Sequence, residues 1–159
     1  MRTLKVSAPT LLALLLASAQ AGAVTIPDSE LSLGGVALGD TEATVIQRLG
    51  PPNRRVDTGE GMRLDYPGLT VWTGFLEDPA KPGATRQVSE LLSTSADACT
   101  PAGLCPAQRL SDAFLGRHLD LVLREGGTFL EAPASESSCW LQLTAREGRV
   151  LSVRAECQP

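Results

Sequence analysis

Apolar positions along the chain switch between two periods. Val45, Ile46 and Leu49 share one face at helical spacing, and Leu38-Gly39-Asp40 leads into them, with Asp40 or Thr41 as the capping residue. Gly50-Pro51-Pro52 stops this helix, because glycine suits a left-handed cap and proline has no N–H to continue the ladder. Beyond it the period falls to two. Met62-Arg63-Leu64-Asp65-Tyr66 alternates, Pro67-Gly68 turns the chain, and Leu69 to Leu76 predicts a second strand. A Pro- and Gly-rich stretch from Asp78 to Ala84 returns the chain as Arg86 to Ser93. Residues 24–34 read as a short lead-in.

The second half follows a similar order. Gly103-Leu104 leads to a predicted helix containing Leu110, Phe114 and Leu115, and His118 to Arg124 fits helix or strand equally. A Gly126-Gly127 turn precedes a strand over Thr128-Phe129-Leu130-Glu131. The chain closes with a hairpin of strands 139–145 and 149–157, turning at Arg146-Glu147-Gly148-Arg149. An offset of 68 aligns Gly35 with Gly103, Gly59 with Gly127 and Trp72 with Trp140. So few identities arise by chance, and the repeat rests on the order of elements. The expected fold class is α+β: a tandem of two small helix-plus-antiparallel-sheet units, 24–96 and 97–159, or one continuous domain.

The N-terminus carries an address. Arg2 and Lys5 precede the apolar run Leu11 to Ala17, and Ala19-Gln20-Ala21 supplies a small-x-small site. Residues 1–21 therefore read as a signal peptide, with Ala21-Gly22-Ala23 offering an alternative cut after residue 23. A spanning helix needs about 20 apolar residues, and Pro9, Ser18 and Gln20 bracket a much shorter run. The first cysteine is Cys99, too distant to carry a lipid at a new N-terminus. An exported protein is expected, periplasmic or secreted, without a membrane anchor after cleavage.

Composition sharpens that picture. The whole chain has 159 residues, 43% apolar and 20% charged, with a net charge of −4. Loss of Arg2 and Lys5 takes the cations from 14 to 12 against 18 acids, about −6. This balance excludes the basic footprint of a nucleic-acid binder. Four cysteines in an exported chain predict two disulfides. Cys99 and Cys105 enclose a Pro- and Gly-containing loop, while Cys139 and Cys157 flank the last hairpin nearly opposite one another. Cys99–Cys105 and Cys139–Cys157 are the expected pairs. A four-Cys zinc site is disfavoured, since no CxxC pair occurs.

Catalytic chemistry leaves no comparable signal. GxSxG, HExxH and P-loop patterns are absent, and the lone His118 excludes a cage of histidines. A triad of His118 with Asp112 or Asp120 is conceivable, but a solvated histidine is the plainer reading. Glu77-Asp78 and Asp57 with Glu60 sit in turns and lack calcium-loop spacing. No enzymatic activity, cofactor or metal is expected.

The two tryptophans are more informative. Leu69, Val71 and Phe75 share one strand face, and Thr70, Trp72 and Gly74 the other. Cys139, Leu141 and Leu143 alternate with Trp140, Gln142 and Thr144. On the partner strand Leu151, Val153, Ala155 and Cys157 alternate with Ser152, Arg154 and Glu156. Both tryptophans thus fall on the more polar face, flanked by Arg63, Arg154 and Glu156, unless a loop or the other unit covers it. Exposed tryptophan among polar groups marks a binding surface. The leading expectation is a non-enzymatic module that binds another protein through a sheet face. A cell-envelope structural or assembly factor is the alternative, and a small hydrolase with an unrecognised site the third. No feature specifies the oligomeric state.

The string Leu33-Gly34-Gly35-Val36-Ala37-Leu38-Gly39-Asp40-Thr41 through Leu49-Gly50-Pro51-Pro52 resembles the opening of repeats in the β-lactamase inhibitory protein-like superfamily. That group is similar in pattern to the small outer-membrane lipoprotein of the β-barrel assembly machinery. The resemblance implies a helix pair packed on a four-stranded antiparallel sheet, once or in tandem. It covers residues 31–94 well and 99–157 loosely, where Leu115-Gly116-Arg117-His118 replaces the closing Gly-Pro. The group holds inhibitors and assembly factors alike, so it implies a fold and no activity.

Overall fold

The computed structural model describes residues 25–75, 78–110, 120–124 and 127–158. The predicted signal peptide, Leu76, Glu77, and the stretch holding Asp112, Phe114, Leu115 and His118 lie outside the described residues.

The first predicted helix forms as α1 (Glu42–Leu49). Thr41 caps it, its hydroxyl accepting from the Thr44 N–H at 3.1 Å. Gly50 ends it at φ 81°, its N–H donating to the Ile46 carbonyl. A two-stranded ribbon, β1 (Ser32–Leu33) and β2 (Val36–Ala37), precedes the helix and turns at Gly34-Gly35. The Leu-Gly-Gly-Val string is therefore a tight turn whose flanking Leu33 and Val36 are wholly buried.

Eight strands follow: β3 (Arg54–Asp57), β4 (Gly61–Tyr66), β5 (Leu69–Phe75), β6 (Arg86–Ser93), β7 (Asp120–Arg124), β8 (Gly127–Pro133), β9 (Cys139–Arg146) and β10 (Arg149–Cys157). They form one antiparallel sheet in the order β3-β4-β5-β6-β10-β9-β8-β7. Two successive four-stranded meanders thus meet through their last strands. A local two-fold passes between β6 and β10.

One sheet face is the core. Leu64, Val71, Leu91, Ala155, Leu141 and Ala132 stand opposite one another in a single cross-strand row, each essentially buried. Val45 of α1 and Leu33, Val36, Ala98 and Leu104 from the connecting segments join the same core. Hydrogen bonds from Gly39 N–H to Val88 O and from Val88 N–H to Asp40 O, both 2.8 Å, tie the segment before α1 to β6. The N-terminal segment is tied to the other half, with the Ile26 N–H donating to Pro133 O at 2.9 Å.

This architecture corrects the expected fold class. The protein is mostly β, with one α-helix among the described residues, and not an α+β tandem of helix-bearing units. Period-two patterning ran through both halves, and main-chain pairing of β6 with β10 fuses them into one sheet. The ambiguous segment before residue 125 is strand β7 from Asp120 onward. Leu110 sits in a turn, where its N–H donates to the Gly148 carbonyl.

Two details of strand facing also differ from expectation. A bulge in β10 between Val150 and Ser152 buries Val150 and turns Leu151 outward, 48% exposed. Phe75 keeps core-side parity but runs past the buried part of the sheet, 39% exposed, with the Arg86 guanidinium 5.5 Å above its ring. Both disulfides are present, Cys99–Cys105 and Cys139–Cys157. Two disulfides in so short a chain mark a protein that folds in an oxidising compartment, as exported proteins do.

Candidate functional site

Parity leaves the opposite face of the sheet to polar residues and both tryptophans. Trp72 on β5 stands opposite Arg63 on β4 and Glu90 on β6. Glu90 stands opposite Glu156 on β10, which in turn faces Trp140 on β9. The result is one continuous row: Arg63, Trp72, Glu90, Glu156, Trp140 and then Pro133 on β8. Around the local two-fold it reads Trp-Glu-Glu-Trp. The neighbouring row holds Asp65, Thr70, Leu92, Arg154, Gln142 and Glu131 on the same face.

All five residues singled out from the sequence (Trp72, Trp140, Arg63, Arg154 and Glu156) therefore lie on one face. Both tryptophans are half-buried. Glu90 completes the centre of the row and was not legible beforehand. A bulge at Ser89 breaks the alternation of β6, so that Val88 and Leu91 both face the core. Only the pairing of Glu90 with Trp72 reveals its side. The Ser89 hydroxyl donates to the Trp72 carbonyl at 3.4 Å, holding the bulge beside that tryptophan.

Ion pairs and polar hydrogen bonds form within this face. Arg154 Nη1 donates to Glu90 Oε1 at 2.6 Å and lies 3.8 Å from Glu156 Oε2. Arg63 Nη2 donates to Asp65 Oδ2 at 3.1 Å. Its Nε is 3.0 Å from Asp65 Oδ1, too oblique for a hydrogen bond. Gln142 Nε2 donates to Glu131 Oε1 at 3.3 Å. The Trp140 indole N–H is enclosed and has no acceptor among the described residues. Beside it lies a shallow pocket of about 350 Å³ bounded by Glu131, Pro133, Ser137, Ser138, Trp140 and Gln158.

Burial raises the Glu90 carboxyl above its ordinary value; Arg154 pulls it back, and the facing Glu156 pushes it up. A carboxyl raised by folding favours its protonated form, so its contribution is present in acid and lost as pH rises through the folded value. Glu90→Gln is therefore expected to gain stability relative to the wild type as pH rises from acid to neutral. Urea midpoints of both proteins across that range check it; a relative gain confined to acid would contradict it.

Among the described residues no three His, Cys, Asp or Glu side chains come together in a metal-binding group. The face thus presents two large half-buried aromatics in one row, bounded by charged side chains that form ion pairs.

No protein-family model matches the sequence, and no curated protein matches it significantly. Among solved structures, an extracellular protein containing an SCP domain from Bacillus anthracis is similar over 76% of this chain and 44% of its own, with 15% identity and a TM-score of 0.48. A cysteine-rich secretory protein from Staphylococcus aureus is similar over 84% of this chain and 49% of its own, with 12% identity and a TM-score of 0.44. The chain spans less than half the length of either protein. Both scores lie under 0.5, and neither likeness carries an activity to this chain.

The sheet overturns the β-lactamase inhibitory protein-like resemblance. A single eight-stranded sheet with one α-helix among the described residues replaces the helix pair packed on a four-stranded sheet. The physical reason lies in the motif. Leu-Gly-Pro-Pro records a capped helix ending before a strand, which many folds require.

Proposed function

We propose that this exported chain is a non-enzymatic module that binds another protein through the polar face of its sheet, in the periplasm or outside the cell. The observation that supports this is the single row containing Trp72 and Trp140 on the face away from the core. Half-buried indoles held by their own strands lose little side-chain freedom on binding and offer large apolar area to a partner.

Trp72→Ala and Trp140→Ala are each expected to weaken binding by about 2 kcal/mol or more, while their denaturant midpoints stay near that of the wild type. A loss of about 3–5 kcal/mol of stability in both would make the tryptophans packing residues and end the proposal. Binding itself is tested with a photo-cross-linking residue placed at Thr70 or Gln142 on the face, or at the exposed Gln47 of α1. A discrete adduct from the two face positions, lost in the tryptophan variants, is the expected result. Equal adducts from Gln47 would overturn it.

A further inference from the structure

The centre of the face carries a charge imbalance. Glu90 and Glu156 stand directly opposite across the β6–β10 seam, an arrangement of like charges that destabilises a sheet when left uncompensated. Among the described residues one guanidinium, that of Arg154, serves both carboxylates, at 2.6 and 3.8 Å. Two carboxylates against one cation leave a negative charge at the middle of the row.

We propose that the occupant of this face is a basic segment of a partner protein, with an Arg or Lys side chain lying between Trp72 and Trp140 over the Glu90–Glu156 pair. This rests on the protein-binding reading of the same face. Adjacent strands lie about 4.8 Å apart, so three strand intervals separate the tryptophans by about 14 Å. An extended cationic side chain laid across that interval has a tryptophan-bearing strand on either side. There a guanidinium or ammonium is placed to pair with a carboxylate and to draw on cation–π attraction to an indole. The cation supplies the charge that Arg154 alone does not balance. The chain's net charge of −4 also steers basic partners toward it. A second copy of this chain fits less well, because a two-fold contact through the row would set these carboxylates against themselves.

The test uses a short peptide of alternating Arg and Ser and its counterpart of alternating Glu and Ser. Each is titrated into the exported protein at low and at physiological salt, with fluorescence of its two tryptophans and calorimetry as readouts. The expected result is saturable binding of the Arg peptide only, with a change in tryptophan emission. Glu90→Gln/Glu156→Gln should weaken that binding at least about tenfold. Glu60→Gln/Glu147→Gln makes the same charge change at exposed turns away from the row and should leave it unaltered. Absence of binding, equal binding of the Glu peptide, or equal loss in the control variant would overturn the inference. The two proposals separate cleanly. A photo-adduct that needs both tryptophans but survives Glu90→Gln/Glu156→Gln would keep the binding face and reject a basic occupant.

Discussion

Leu91→Ala is expected to cost about 2–5 kcal/mol, enough to remove a large part of a small domain's stability. Leu91 has no solvent exposure and sits on β6, where the two meanders meet. Its row neighbours are Val71 on one side and Ala155 on the other, so truncation opens a cavity shared by both halves. The adjacent Leu92 lies on the polar face beside Arg154 and Thr70 and is half-buried. Leu92→Ala should cost distinctly less. Urea unfolding followed by fluorescence and by far-ultraviolet dichroism checks both the magnitude and the coupling. If the sheet is one cooperative body, the two signals shift together in Leu91→Ala. Shifts in one signal alone would show that the halves unfold separately.

Removing the Cys139–Cys157 disulfide as Cys139→Ala/Cys157→Ala should cost about 3 kcal/mol, and removing Cys99–Cys105 about 2 kcal/mol. The order follows from the loops they close, with separations of 18 and 6 residues. The larger loop frees more conformations in the unfolded chain. Cys139 also packs against the core, which adds to the cost of its loss. Denaturant midpoints of the two double variants, measured side by side, decide the order. A greater loss from the smaller loop would mean that contacts in the native state, and not chain entropy, set the stabilisation.

The register that makes this disulfide possible depends on one residue. At the turn Arg149 faces Arg146; after the bulge at Leu151, Cys157 faces Cys139. Had the pairing run on without the bulge, Cys157 would stand opposite Ser138. The sequence showed a hairpin about Gly148 and two cysteines near enough to join. It did not show the bulge, because Val150-Leu151 reads as an ordinary pair of strand residues whichever one turns inward. Facing is a property of the pair of strands, and a single strand does not disclose it.

Local chemistry was legible wherever it acts through its own neighbours. Thr41 capping α1, Gly50 closing it, Pro67-Gly68 turning β4 into β5 and Gly148 turning β9 into β10 are all decided within a few residues. Gly68 adds a tertiary reason to its positive φ: a Cβ there would come within 2.2 Å of the Ser95 Cβ. The polar side of Trp72 and Trp140 was legible too, from period-two alternation along their own strands. The helix-and-sheet tandem was not correct, because periodicity counts elements but does not say which strand edges remain open.

The sequence by itself determined the turns, the helix cap, the strand periods and the chain's acidic character, since short-range backbone and side-chain preferences govern each. Only the tertiary structure decided that β6 pairs with β10, joining two meanders into one sheet. That pairing joins residues sixty or more positions apart, Glu90 opposite Glu156 among them. Its stability comes from hydrogen bonds and apolar area that exist only when distant segments meet. It also placed Trp72, Glu90, Glu156 and Trp140 in one row, so the candidate site arises from the seam and belongs to neither half alone.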